Sequence, residues 1–204
     1  ASFWQAIAKE FSTFKNIYGY GLMNEPHDLT PETSWFDMAQ ASINAIREVD
    51  TNTLIMVGGN DWSSAERWIE QSDTLKYLKD PANNLAFEAH VYFDKDAIRD
   101  SKYSYEEEEC YLEKGIDRVK PFVEWIKQNK FHGFIGEYGI PDNDPRWNET
   151  LDLFLGYLQE NGINGTYWAA GPWWDSYFMA IPPKDGKDRP QMPIIEKYTS
   201  TFKK

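Results

Sequence analysis

The chain has 204 residues, of which 41% are hydrophobic and 16% aromatic, with nine tryptophans and a formal net charge of −12. This length and apolar content suffice for one domain with a buried core and argue against disorder. The acidic balance argues against nucleic acid or an anionic membrane surface as a partner, because phosphate groups would repel it.

Five short apolar runs predict buried strands, and longer amphipathic stretches predict helices between them. The predicted strands are residues 18–23, 54–58, 85–93, 133–139 and 165–170. The predicted helices are residues 2–14, 35–49, 119–128, 151–159 and 193–202. Pro31 and Pro145 each follow a residue that can cap a helix, which is typical of a helix start. The irregular segment 93–116, with the acidic run 106–109, is predicted to be a solvated loop.

Alternating strands and helices of this kind predict an α/β fold, either a doubly wound sheet or a (β/α)8 TIM barrel. Polar and aromatic residues stand at or just after the strand ends: Asn24, Glu25, His90, Tyr92, Glu137 and Trp168. A barrel brings all strand carboxyl ends to one mouth and would gather these side chains. A doubly wound sheet favours a glycine-rich phosphate turn, and Gly58-Gly59 lacks the further spacing of that fingerprint. The barrel is therefore the predicted fold.

The segment 21–26 displays an amide and a carboxylate, Asn24 and Glu25, at the end of an apolar strand and before a proline. A glycosidase needs a carboxylic acid whose proton reaches the glycosidic oxygen. The adjacent amide can hold a sugar 2-hydroxyl, whose hydrogen bond strengthens in the transition state. This pairing predicts a general acid and a substrate-binding amide.

The segment 134–139 places a second carboxylate, Glu137, inside an apolar strand. A lone buried charge costs several kcal/mol unless it is paired or used, so the alternatives are a buried salt bridge and a catalytic group. Two carboxylates roughly 5–5.5 Å apart on one barrel face would support double displacement through a covalent glycosyl-enzyme.

Together these motifs resemble glycoside hydrolase family five, in the clan of barrel glycosidases with catalytic carboxylates after strands four and seven. The family's acid/base ends strand four in Asn-Glu-Pro and its nucleophile lies on strand seven, which implies these roles for Glu25 and Glu137. Both motifs stand in that order, three predicted strands apart, and the resemblance covers nearly the whole chain. It implies hydrolysis with retained configuration.

His90 and Tyr92 match the family's His-x-Tyr on strand six, whose tyrosine is expected to contact the nucleophile. Trp168 is similar to the strand-eight tryptophan that floors the −1 sugar site. The motifs around both carboxylates resemble the bacterial endoglucanase (cellulase) branch, which implies an endo-β-1,4-glucanase acting on β-glucan. Of Trp173 and Trp174, we expect one to stack on further glucose units and the other to pack its loop onto the barrel.

Neither a cofactor nor a metal is predicted. Cys110 is the only cysteine, which rules out an intrachain disulfide and a zinc site built on several thiolates. Asp61, Asp94 and Asp142 stand on separate predicted loops without calcium-loop spacing. Trp62 is a weaker candidate for the sugar-binding rim.

The resemblance numbers the five predicted strands four to eight. We therefore expect residues 1–204 to be the C-terminal part of one catalytic barrel, with strands one to three on a separate or cleaved chain or omitted from this sequence. An open barrel would expose strand edges, so that N-terminal part is the expected protein partner. A secreted enzyme is expected, whose signal region is not present in this chain.

Three other readings remain open at this level. The first is a β-mannanase or other β-glucanase of the same family, since loops around the outer subsites decide the preference. The second is a non-catalytic carbohydrate-binding remnant, although binding alone does not require two carboxylates buried at strand ends. The third is a doubly wound phosphate-binding domain, which would bind nucleotides and not glucans.

Overall fold

The computed structural model describes residues 1–30, 32–97, 104–174 and 177–199. The strands are β1 Gly19–Gly21, β2 Leu54–Gly58, β3 Leu85–His90, β4 His132–Tyr138 and β5 Asn164–Tyr167. The helices are α1 Ser2–Phe11, α2 Trp35–Arg47, α3 Asn60–Ser63, α4 Trp68–Ser72, α5 Lys114–Asn129, α6 Pro145–Glu160 and α7 Met192–Tyr198. Two short 3-10 helices span Asp73–Tyr77 and Pro172–Trp174.

The strands form a five-stranded sheet in the order β1-β2-β3-β4-β5 within the described residues. β1 pairs with β2, and β2 with β3, in parallel, so that Tyr20 lies opposite Ile55 and Val57 opposite Phe87. The order follows the sequence without the reversal that defines a doubly wound sheet. The doubly wound alternative is therefore wrong, and the strand order is that of a barrel.

Each predicted strand and helix has a counterpart, but several boundaries differ. α6 begins at Pro145, where Asp144 caps it by accepting a hydrogen bond from the Arg146 N–H. α2 begins at Trp35 behind the cap Ser34, and the helix start proposed at residue 31 lies outside the described ranges. The end of the last predicted helix, residues 200–202, also lies outside them.

The largest difference is at α5, which begins five residues before the predicted start at residue 119. Lys114 and Arg118 are buried and donate hydrogen bonds to loop carbonyls. Two cations in that stretch are typical of a solvent-facing turn, so periodicity could not identify it as part of a packed helix. The short segments α3, α4 and Asp73–Tyr77 were not predicted, because elements of four or five residues carry almost no periodic signal.

The acidic run 106–109 is only partly solvated, which corrects the prediction. Glu108 is 4% exposed, and its Oε2 accepts the Lys95 N–H at 3.0 Å. Glu106 and Glu109 are exposed and form ion pairs with Arg146 and Lys95. Residues 98–103 of the same predicted loop lie outside the described ranges.

The chain divides into two compact units, of which the first comprises residues 1–89 and 121–134. Its core contains an aromatic cluster in which Trp68, Phe87, Phe122 and Trp125 meet mostly edge to face, with ring centroids 4.6–6.4 Å apart. Edge-to-face contact is the favoured geometry for aromatic quadrupoles. The Trp125 indole N–H donates to Asp73 Oδ1 at 2.9 Å, which ties α5 to the 3-10 helix.

The second unit comprises residues 90–120 and 135–204. Phe154 of α6 lies at its centre, with ring contacts to Phe93 at 5.1 Å and to Tyr138 at 5.5 Å. Tyr105 packs edge to face on Trp147, and its hydroxyl hydrogen-bonds to Thr150 at 3.0 Å. The fully buried tryptophans, Trp68, Trp125 and Trp147, thus lie in the cores of the two units.

Across the described residues, every helix falls short of the length and apolarity that crossing a bilayer requires.

One buried carboxylate organises the turn between α2 and β2. Asp50 accepts hydrogen bonds from the Tyr20 hydroxyl at 2.9 Å, the Thr53 hydroxyl at 2.6 Å, and the N–H groups of Asn52 and Thr53. Burial by itself raises the pKa of Asp50, but these hydrogen bonds outweigh it and lower the pKa to about 2. Tyr20 lies on β1, so Asp50 joins this turn to the strand that precedes Asn24 and Glu25.

Replacing Asp50 by Asn should lower the free energy of unfolding at pH 7 by about 1–3 kcal/mol, the usual contribution of hydrogen bonds to a charged group. Because the folded pKa is lowered, this stabilisation is present above about pH 4 and is lost as the pH falls towards 2. Urea unfolding of both proteins at pH 7, 4 and 2.5 measures the difference. Asp188→Asn, at an exposed position, is the control. A difference that stays constant with pH would contradict the assignment.

Candidate active site

The second unit holds a carboxylate and a phenol in short hydrogen-bond contact. Glu137 lies on β4 and is 4% exposed, and the Tyr92 hydroxyl donates to its Oε2 at 2.5 Å. Tyr92 is also buried and lies two residues beyond the end of β3. A hydrogen bond donated to a carboxylate favours its ionised form and fixes its orientation. The contact expected between Tyr92 and Glu137 is thus present.

His90 closes β3 beside the same carboxylate. Its Nδ1 lies 3.7 Å from Glu137 Oε2, beyond a direct hydrogen bond, and the imidazole is 5% exposed. Between His90 and Tyr92, the Val91 N–H donates to the Glu137 carbonyl at 3.0 Å. This backbone bond aligns residues 90–92 with β4. The structure therefore brings three of the predicted site residues together.

Trp168 follows β5, and its backbone is held close to the end of β4. Its N–H donates to the Tyr138 carbonyl at 2.8 Å, and its peptide bond to Ala169 is cis. A Cβ on Gly139 would lie 2.3 Å from the Trp168 carbonyl oxygen, so only glycine permits this approach. Burial raises the pKa of Tyr138 to about 12, which keeps its phenol neutral.

The two neighbouring tryptophans differ sharply in exposure. Trp174 is half-buried, and its ring meets Trp168 at 4.9 Å and Tyr177 at 5.1 Å. Trp173 is 89% exposed. This contrast matches the expectation that one of the pair packs while the other is displayed to solvent.

The candidate acid, Glu25, lies with Asn24 in the first unit. Glu25 is 9% exposed and has φ 46°, a left-handed conformation that costs a non-glycine residue about 1 kcal/mol or more. The Leu22 N–H continues the pairing with β2 by donating to the Met56 carbonyl at 3.0 Å. Gly58 allows the close approach of the motif to β2, because a Cβ there would lie 3.0 Å from the Met23 carbonyl oxygen.

Around this motif, Asn24 is exposed, as is His27. The imidazole of His27 stacks on the indole of Trp62 with centroids 4.4 Å apart and an interplanar angle of 12°. The Trp62 N–H also donates to the Pro26 carbonyl at 3.3 Å. Asp61, Trp62 and Ser63 all have φ near 55°, so a run of left-handed residues displays the Trp62 ring. Sequence reasoning rated Trp62 only as a weak candidate and did not predict its contact with His27.

Asp61, Asp94 and Asp142 each make contacts of their own. Asp61 forms an ion pair with Arg67, and Asp142 forms one with Arg189. Asp94 is 2% exposed, and its carbonyl accepts a hydrogen bond from Arg118. Asp61 belongs to the first unit and the other two to the second.

Arg118 is a residue near the site that sequence reasoning missed. Its guanidinium donates to the carbonyls of Tyr92, Asp94 and Lys95 at 2.5–2.8 Å. No sequence signal could have identified it, because an arginine on an amphipathic helix is typical of a solvent-exposed position.

Comparison with known proteins agrees with this arrangement. The family model for cellulase (glycosyl hydrolase family 5) matches residues 1–173. The chain is 35% identical over 190 residues to endo-beta-1,4-glucanase B of Emericella nidulans, a match covering 91% of this chain and 55% of that protein.

Solved structures of similar proteins carry the same fold. The endoglucanase Cel5A of Pseudomonas stutzeri, in complex with cellobiose, is 41% identical with a TM-score of 0.89, covering 98% of this chain and 60% of that one. XacCel5A, in complex with cellopentaose, is 37% identical with a TM-score of 0.86, covering 96% and 64%. The chain thus spans less than two thirds of the length of these relatives.

The family match extends over the segments 21–26 and 134–139, and the sheet supplies five consecutive strands of a (β/α)8 barrel. The resemblance inferred from the motifs is therefore confirmed. The chain belongs to the cellulase family, glycosyl hydrolase family 5.

Proposed function

We propose that this chain carries the catalytic carboxylates of a retaining endo-β-1,4-glucanase, with Glu137 as the nucleophile and Glu25 as the general acid/base. The observation that carries the proposal is the buried Glu137 carboxylate held by the Tyr92 phenol at 2.5 Å. The hydrogen bond from the phenol fixes the orientation of the carboxylate, which a nucleophile requires.

In the proposed reaction, the Glu137 carboxylate attacks the anomeric carbon while the Glu25 carboxylic acid protonates the departing glycosidic oxygen. Glu25 then acts as a base and activates the water that releases the sugar from Glu137 with retained configuration. This mechanism requires about 5–5.5 Å between the two carboxyl groups. Asn24 would hold the 2-hydroxyl of the sugar in the −1 site, and His90 would hydrogen-bond to another hydroxyl of that sugar.

Aromatic rings would supply the binding surface for the glucan. Trp168 is the proposed floor of the −1 site, and its contact with Trp174 fixes the two rings relative to each other. Trp173, which is 89% exposed, would stack on a more distant glucose unit. Trp62, stacked on His27, would bind the sugar on the leaving-group side, since both rings lie next to the segment that carries Glu25.

The substrate proposal is a β-1,4-glucan. It is supported by relatives named endo-beta-1,4-glucanase and by similar structures determined with cellobiose and cellopentaose. Because a polymer of this kind is met outside the cell, we also propose that the enzyme is secreted. The N-terminal part of the barrel, with strands one to three, is the proposed protein partner, since β1 and β5 are the edges of the described sheet.

A substrate panel tests the function. Reducing-sugar release from carboxymethyl cellulose and mixed-linkage glucan should exceed release from mannan at least about tenfold, because a β-1,4-glucan site loses contacts to the epimeric 2-hydroxyl of mannose. The assay is run on the chain alone and with an added N-terminal fragment of three βα units, which should raise the rate. Preference for mannan would contradict the substrate, and binding without hydrolysis in both arms would favour a carbohydrate-binding remnant.

Glu137→Gln should lower kcat at least about a thousandfold, because it removes the nucleophile and keeps the shape of the side chain. Initial rates on cellopentaose measure the loss, and circular dichroism checks that the variant is folded. Glu160→Gln, at an exposed position on α6, should keep the activity of the parent protein. A Glu137→Gln protein with near-parental activity would eliminate Glu137 as the nucleophile.

Glu25→Ala should reduce hydrolysis of cellopentaose roughly a hundredfold or more, but should nearly spare the first step on a dinitrophenyl cellobioside, whose leaving group needs little protonation. Added azide should accelerate the variant and give a glycosyl azide of retained configuration, because azide attacks the intermediate without base assistance. Equal losses on both substrates, without azide rescue, would show that Glu25 is not the acid/base.

A further inference from the structure

Arg118, in the first half of α5, is 8% exposed and ends in a cluster of backbone carbonyls. One guanidinium nitrogen donates to the Tyr92 carbonyl at 2.5 Å and to the Asp94 carbonyl at 2.6 Å. The other donates to the Lys95 carbonyl at 2.8 Å. The planar guanidinium thus binds three carbonyls of the segment that follows β3.

These carbonyls lie beyond the last residue of β3, His90, so they lie outside the regular pairing of the strand. The Val91 N–H still bonds to the Glu137 carbonyl, but the segment from Tyr92 onward turns away into the loop. An arginine remains charged at all relevant pH values, so its hold on this segment does not vary as the carboxylates titrate.

The Tyr92 residue is held at both ends. Its backbone carbonyl accepts from Arg118, and its side-chain hydroxyl donates to Glu137 Oε2 at 2.5 Å. Moving the backbone of Tyr92 would therefore move the phenol away from the carboxylate. From this chain of contacts we infer that Arg118 is a positioning residue, which acts on the nucleophile through Tyr92.

The inference rests on the proposed function, in which Glu137 is the nucleophile. It adds that the geometry of the nucleophile depends on Arg118, which holds the backbone of Tyr92. A displacement of about 1 Å at a reacting group can lower a rate about a hundredfold.

Two substitutions test this role. Arg118→Met removes all three hydrogen bonds, whereas Arg118→Lys keeps the charge and can reach fewer carbonyls. Arg118→Met should lower kcat roughly 10- to 100-fold while KM changes less than about threefold, and Arg118→Lys should recover part of the loss. Tyr92→Phe should also lower kcat, and combining it with Arg118→Met should give no additive loss, because both act on one contact.

A spectroscopic measurement makes the test independent of catalysis. In protein labelled with 13C at the tyrosine ζ carbon, the Tyr92 signal, assigned with Tyr92→Phe, reports the hydrogen bond to Glu137. Arg118→Met should move this signal towards that of a solvent-exposed tyrosine, with a smaller movement for Arg118→Lys. Arg47→Lys is the matched control, since Arg47 is also buried and donates to three backbone carbonyls, those of Asp50, Thr53 and Asn84.

The control should lower the melting temperature without moving the Tyr92 signal or lowering kcat. If both Arg118 variants behave like Arg47→Lys, Arg118 is purely structural and the inference is overturned. If Arg118→Met does not fold, Arg118→Lys decides by the same readouts. If the parent protein hydrolyses no glucan, the proposed function fails, while the Tyr92 signal still decides whether Arg118 positions the tyrosine.

Discussion

The carboxylate of Glu137 lies on an apolar strand and is 4% exposed, and contacts within the second unit hold it in place. Burial of a charge without a partner costs several kcal/mol, so the strand must be accompanied by a polar group that reaches the same depth. Tyr92 supplies that group as a phenol, which is neutral and leaves the negative charge on the carboxylate.

The position of the Tyr92 phenol depends in turn on the backbone around it. Tyr92 reaches Glu137 only because the chain continues along β4 for two residues after β3 ends, as the Val91 bond to the Glu137 carbonyl shows. Beyond that point Arg118 holds the backbone from α5. On the other side of β4, Gly139 admits the backbone of Trp168 at a distance that any side chain would forbid. The hydrogen bond of Tyr92, the buried Arg118 and the absence of a side chain at Gly139 thus together determine the backbone geometry around Glu137.

In the first unit, the backbone conformation positions the candidate acid, Glu25. Glu25 has a positive φ directly after an apolar strand, and the segment 61–63 is left-handed throughout. Such conformations persist only where the surroundings over-determine them, and they occur preferentially at functional sites. Here Gly58 provides room for the Glu25 segment, and the Trp62 N–H bonds to the Pro26 carbonyl. Strain in this unit is therefore concentrated in the two segments that display the carboxylate and the candidate sugar-binding ring.

The sequence by itself determined the approximate strand positions, the barrel-type alternation, the cap at Asp144 and the membership of the family. Each of these depends on local pattern, namely apolar runs, capping chemistry and short motifs, which contiguous residues record. The tertiary structure alone decided that Arg118 and Lys114 are buried, that Glu108 is not solvated and that His27 stacks on Trp62. These contacts join residues 6 to 35 positions apart, and a polar side chain gives no indication in sequence of whether it will meet water or a carbonyl. Only packing brings those partners together, because the desolvation that determines their role exists only once the core has formed.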